Sequence, residues 1–425
     1  MVEELSLCCR TIHLTSPNDM RIKKLRYITT DIYSSISIAM MWVAAIFSLL
    51  SGSANKLGLY VALPIAFLMS TLTNKGFRLN LYEKILYALF AWDCMAYLWA
   101  DNKELASSEL HALLGAFLLS YVVSIQGRKL SHAPYLYFVW ALLYISAWNY
   151  AAHHILVFMT DNTDRLNDEN LNANTLAYYT FYFSFLCYVL SEIVKSKSLR
   201  RLWTIAFWAM LPLSFGVALL TASRQVLVIQ LPLYAMLIYI RFIKGVSIRS
   251  KVLFCITVLI CLIAASGQIE KAYDDSFLKQ RAEKNITEDT RFALIGNAIQ
   301  VGIDNFPMGI GSANFQAVSD RREIAHNSYL EAFADMGVIG ILLYTSLMLV
   351  FTFRQWRRYR QSNDKMYFTF FTFGLIYTLD GFFFVFYNAI WLISFFMLVA
   401  AHSEAYFEKH FKVVSSLTTN KEVST

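Results

Sequence analysis

Apolar runs of about 20 residues recur along this chain, and a run of that length is what one helix needs to cross the hydrocarbon core of a bilayer. Twelve can be read, centred near residues 31–51, 57–73, 85–100, 110–127, 134–157, 174–194, 202–220, 225–240, 252–267, 337–353, 366–384 and 386–403. Composition agrees: 57% of the 425 residues are hydrophobic and only 16% charged, where soluble domains carry roughly 25% charged residues. The chain therefore reads as an all-α polytopic membrane protein of about 12 transmembrane helices.

The net charge of +7 would suit a nucleic-acid binder, but its distribution follows topology instead. With the N-terminus in the cytoplasm, the cytoplasmic segments collect Arg10, Arg21, Lys23, Lys24, Arg26, Lys75, Arg78, Lys84, Arg128, Lys129, Lys195, Lys197, Arg200 and Arg201. They continue with Arg241, Lys244, Arg249, Lys251, Arg354, Arg357, Arg358, Arg360, Lys365, Lys409, Lys412 and Lys421. That is 26 of the 37 basic residues, and the short outer loops hold only Lys56, Lys103, Arg165 and Arg224. Basic residues concentrate on the cytoplasmic side of membrane proteins, so both termini are expected there and no nucleic-acid partner is.

Residues 1–28 are polar and charged and lack the short apolar core and small-residue cleavage site of a signal peptide. None of the six cysteines falls in an outer loop, so no disulfide framework is expected. The expected organisation is nine transmembrane helices over 1–267, an outer loop over 268–336, three more helices over 337–408, and a cytoplasmic tail over 409–425.

Chemistry is therefore sought in two outer loops, 159–174 and 268–336. Within the second, "EDTRFALIGNAIQVGIDNFPMGIGSANF" predicts a helix and a turn. Asp289 or Thr290 supplies a side-chain oxygen for the exposed N–H groups of a helix start. Phe292, Leu294, Ile295, Ala298, Ile299 and Ile303 form one broad apolar face, and "FPMGIGS" ends the helix. A second helix, starting near Ala325, runs on into the tenth span.

Three residues stand out on this side. Arg224 lies in "LLTASRQVLV" between two spans, Arg291 in the first turn of the loop helix, and His326 at the start of the last helix. Each has an ordinary reading: a headgroup anchor, a solvated helix residue, and a helix-start packing residue. Taken together they suggest more, because arginine's planar fork matches phosphate oxygens and histidine accepts a proton near neutrality.

"HNSYLEAFADMGVIG" resembles the O-antigen ligase signature, a histidine and a small polar residue followed, nine residues on, by glycine-x-x-glycine. His326, Asn327, Gly337 and Gly340 occupy those places. "TRFALIGNAIQVGIDNFPMGIGSANF" is similar to the family's arginine–helix–proline–glycine-x-glycine block, "TASRQ" to its serine–arginine at the head of a span, and "DRLNDENLNAN" to its arginine-containing outer loop. The resemblance is to the O-antigen ligases and O-antigen polymerases, membrane glycosyltransferases of the GT-C group.

It implies a GT-C-like fold in a bacterial inner membrane and an active site on the periplasmic face. It also implies a glycan donor on undecaprenyl diphosphate, a lipid A-core or other glycan acceptor, and surrounding lipid. Neither cofactor nor metal is implied, and "GSANK" in the first outer loop lacks the carboxylates that metal-dependent GT-C enzymes carry there. The roles implied are general base for His326, and substrate binding for Arg224, Arg291, Asn327 and Arg165.

Two rivals share the sequence. A polymerase uses the same donor but extends another lipid-linked glycan. A lipid-linked glycan transporter would account for Asp93 and Asp380 inside spans, since buried acids often couple ions, but no internal repeat accompanies them.

Overall fold

The computed structural model describes residues 17–48, 56–73, 79–145, 173–221, 224–274, 290–320, 322–387 and 389–422. These residues form helices and no strand. In chain order they are α1 (Pro17–Ser48), α2 (Gly58–Thr73), α3 (Leu81–Ala96), α4 (Lys103–Gly127), α5 (Ala133–Ile145), α6 (Ala173–Ile193) and α7 (Lys197–Leu220). There follow α8 (Arg224–Ile238), α9 (Ile248–Asp274), α10 (Thr290–Asp304), α11 (Phe315–Val318), α12 (Ser328–Ser362), α13 (Lys365–Asp380) and α14 (Ile390–Glu422).

Among the described residues, four helical stretches, Lys103–Gly127, Lys197–Ala218, Ser328–Ser362 and Ile390–His410, are long and apolar enough to cross a membrane. Asp31–Phe47, Gly58–Thr73, Ala133–Ile145 and Leu231–Ile243 are shorter apolar helical segments. The protein is an all-α membrane protein.

Local chemistry sets where the helices begin. Asn80 and Glu83 form a reciprocal capping box at α3, while Asn102 and Asp364 cap α4 and α13. Each satisfies backbone N–H groups that have no carbonyl partner in a first turn.

Between α12 and α13, Asn363 turns the chain with a left-handed backbone at φ 56°. α12 packs along α13, α3 and α10, α14 along α4, and α6 along α7. The core is dense in aromatic rings: Phe373 lies 4.8 Å from Phe185 and 5.6 Å from Phe395, and Tyr377 4.6 Å from Phe386. Some polar side chains inside the bundle bond from helix to helix. Ser37, Ser70 and Gln126 tie α1, α2 and α4 together, with Ser37 and Ser70 hydroxyls 2.7 Å apart.

One end of the bundle gathers basic side chains around buried and partly buried carboxylates. Glu404 of α14 takes Arg358 at 2.9 Å and Arg354 at 3.5 Å. Glu192 of α6 pairs with Lys365 and with Arg241, the latter at 3.4 Å, and Glu83 takes Arg128 at 2.8 Å. The opposite end carries the turn that holds His326.

Candidate functional site

The site is built on a break in α12. A regular helix would join the Val338 N–H to the Ala334 carbonyl. Here that N–H donates to the Pro307 carbonyl at 3.0 Å, because Gly337 lies at φ 65°, ψ −157°. Glycine alone adopts this conformation readily, and a Cβ at Gly337 would collide with the Pro307 carbonyl.

The carbonyls at the break find partners outside the helix. Ala334 O accepts the Ile310 N–H and Asp335 O the Gly311 N–H, both at 2.9 Å, while Met336 O accepts the Trp92 indole N–H at 2.8 Å. Gly309, at φ 72°, lies so close to Gly337 that a side chain on it would strike the backbone there. The "FPMGIG" turn is thus bolted to α12 by backbone bonds.

Side chains extend the lock. Asp335 Oδ1 accepts the Phe315 N–H at 2.6 Å. Asn314 Oδ1 accepts the Asn102 N–H at 2.7 Å, joining the turn to the start of α4.

His326 sits immediately before α12, half-buried, with a left-handed φ of 53°. Its neighbours on both sides are fixed. Glu331, one turn into α12, accepts the Ala325 N–H. Asn327 caps α12, its Oδ1 accepting from Tyr329 N at 3.0 Å and Leu330 N at 3.1 Å. Ser328 N–H donates to Gly381 O at 2.7 Å, and its hydroxyl donates to Phe384 O at 2.7 Å while accepting from Phe386 N at 3.0 Å.

The surroundings are acidic. Asp93 of α3, Glu109 of α4, and Glu331 and Asp335 of α12 are all buried, and all four lie within electrostatic reach of Tyr387. Among the described residues no ion pair reaches Asp93, Glu331 or Asp335. Asp93 faces the Ser312 hydroxyl. Asp380, at the end of α13, accepts the Tyr182 hydroxyl at 2.8 Å.

The structure thus brings His326, Asn327, Gly337 and the glycine turn into one unit. Arg224 is the first residue of α8 and Arg291 the second of α10. Their side chains and the whole of Arg165 lie outside the described residues. Asn327 serves here as the helix cap. Glu331, Asp335, Glu109 and Asn314 are the residues that sequence reasoning missed. A signal existed for two of them: Glu331 and Asp335 are four apart, hence on one helix face, in an otherwise apolar stretch.

Residues 205–345 match the family model described as O-antigen ligase. No curated protein matches the chain. The matched segment contains Arg224, Arg291, His326, Asn327, Gly337 and Gly340, together with the turn locked against α12. Over residues 205–345, about a third of the chain, the match supports the family of O-antigen ligases and O-antigen polymerases.

Proposed function

We propose that the protein is an O-antigen ligase, moving a glycan from undecaprenyl diphosphate to a lipid A-core sugar hydroxyl on the periplasmic face of the inner membrane. In this reading the chain crosses the membrane about twelve times with both termini cytoplasmic. The observation that carries it is His326, held half-buried at φ 53° between the anchored residues Ala325 and Asn327, inside the segment that matches the family.

A sugar hydroxyl is a weak nucleophile, and a base within hydrogen-bond reach makes its attack feasible. The acceptor oxygen bonds to the anomeric carbon of the donor while the bond from that carbon to the diphosphate oxygen breaks. The hydroxyl proton passes to an imidazole nitrogen of His326, and the bonding pair leaves with the diphosphate. The charge growing on that leaving group needs fixed positive partners, the role we assign to Arg224 and Arg291, with Arg165 as a further substrate contact. The reading requires no metal and no cofactor.

Deleting the gene and resolving the surface polysaccharide on a gel tests the choice of acceptor. A ligase deletion strips long chains from the lipid A-core while lipid-linked polymer accumulates. Lipid A-core carrying single repeat units would instead identify a polymerase.

A further inference from the structure

α10 does not bury its apolar residues on one face, as its sequence suggests. Leu294 and Ala298 are 2% and 0% exposed and, with Gly302 against the Phe333 ring, form the face packed on α12. Phe292, Ile299 and Ile303 are 55%, 40% and 58% exposed. At about 100° per residue these three lie within roughly 40° of one another, on a separate face. Gly296 is on the same side, and a Cβ there would meet nothing within 4 Å. A third face is polar, carrying Asn297, Gln300 and Asp304, the last two bonded at 2.8 Å.

The exposed stripe does not stop with the helix. It continues through Phe306 and Met308, both exposed. The bond from Val338 N–H to Pro307 O sets these residues beside the start of the apolar part of α12, where Ile339 and Leu342 are also exposed. Ile339 and Leu342 belong to a helix long and apolar enough to cross the membrane. An apolar face continuous with that surface is covered by what covers the surface, namely lipid.

We propose that α10 is docked in the membrane–water interface, with Phe292, Ile299, Ile303, Phe306 and Met308 in the acyl region and Gln300 and Asp304 in water. A helix with separate apolar and polar faces lies in the interface plane, its apolar side sunk about 5–10 Å. Because the turn after α10 is bolted to the break in α12, this docking also fixes the depth of that turn. The inference stands on exposure and continuity, and is independent of which glycan is transferred.

The test is photocrosslinking of the full-length protein in nanodiscs of phosphatidylethanolamine and phosphatidylglycerol. p-Benzoylphenylalanine is placed singly at 303 or 306, on the exposed apolar stripe, and at 300 or 304, on the polar face. Intact-mass measurement after illumination should show phospholipid adducts severalfold more abundant at 303 and 306 than at 300 and 304. The Phe306 variant exchanges one aromatic ring for another, so it carries the test if the Ile303 variant does not fold. Equal lipid labelling on the two faces would overturn the proposal. So would crosslinks from 303 or 306 to a second copy of the chain in place of lipid.

Discussion

The two ends of the bundle use carboxylates in opposite ways. At the basic end Glu404, Glu192 and Glu83 each meet arginine or lysine, and the pairs join one helix to another. At the His326 end, Glu331 and Asp335 accept backbone N–H groups of the loop instead. A charge pair tolerates small shifts of its long side chains. A carboxylate bonded to a particular N–H fixes the backbone itself, and the backbone at Ala325 is next to His326. The first end is built to hold the bundle together, the second to hold one turn in place.

The largest effect on that contrast should come from Glu404→Leu. Arg358 is almost fully buried, and stripping a buried pair of one partner costs about 3–5 kcal/mol. The melting temperature in detergent should fall sharply, while transfer activity per folded molecule stays near that of the wild type. Activity lost at an unchanged melting temperature would break the contrast.

Arg224→Lys and Arg291→Lys should do the reverse. Lysine keeps the charge but loses the bidentate fork. Where a desolvated partner is lost, the cost is about 2–5 kcal/mol of binding, so in vitro transfer from a lipid-linked donor should collapse at an unchanged melting temperature. A headgroup anchor would tolerate lysine, and a near-normal rate for either variant returns that arginine to such a role.

Glu331→Ala should cost about 1–3 kcal/mol of stability, since it leaves a buried N–H without its acceptor. Its effect on the rate constant should be greater, because displacing a catalytic group by about 1 Å can cost roughly 10²-fold. Glu331→Gln keeps an acceptor oxygen and should recover most of the rate. Equal damage from both variants would show that charge, and not the bond to Ala325, is what matters.

The smallest change is Asn327→Ala, which removes a helix cap worth about 1 kcal/mol. Asn327→Asp keeps the cap and should melt like the wild type. A fall in activity for Asn327→Asp at that unchanged melting temperature would mean that the Nδ2 amide also reads the substrate.

The same contrast marks what the sequence reveals. The loop helix expected from "TRFALIGNAIQVGID" is α10, because an N-terminal threonine, helical periodicity and a proline-glycine stop are all local signals. α12 does run from the loop into an apolar span, but it starts at Ser328, not near Ala325, since His326 has left-handed φ and Asn327 is the cap. Periodicity could not divide the apolar residues of α10 between a protein face and an exposed face, because both require the same side chains. Nor could it gather Asp93, Glu109, Glu331 and Asp335, which come from three helices and meet only through packing. The histidine is legible from its motif; of the carboxylate that anchors its neighbour, the sequence shows only the spacing of four from Asp335, not the bond to Ala325.

In the proposed mechanism the anchored turn presents His326 as a base. That role is tested most directly by purified His326→Ala in nanodiscs, supplied with a lipid-linked glycan and lipid A-core, with melting temperature and elution volume compared with the wild type. Loss of a general base costs about 10²–10⁴-fold in rate, so transfer should all but vanish from a protein that remains folded. Transfer at a near-wild-type rate by that variant would remove His326 from the role of base.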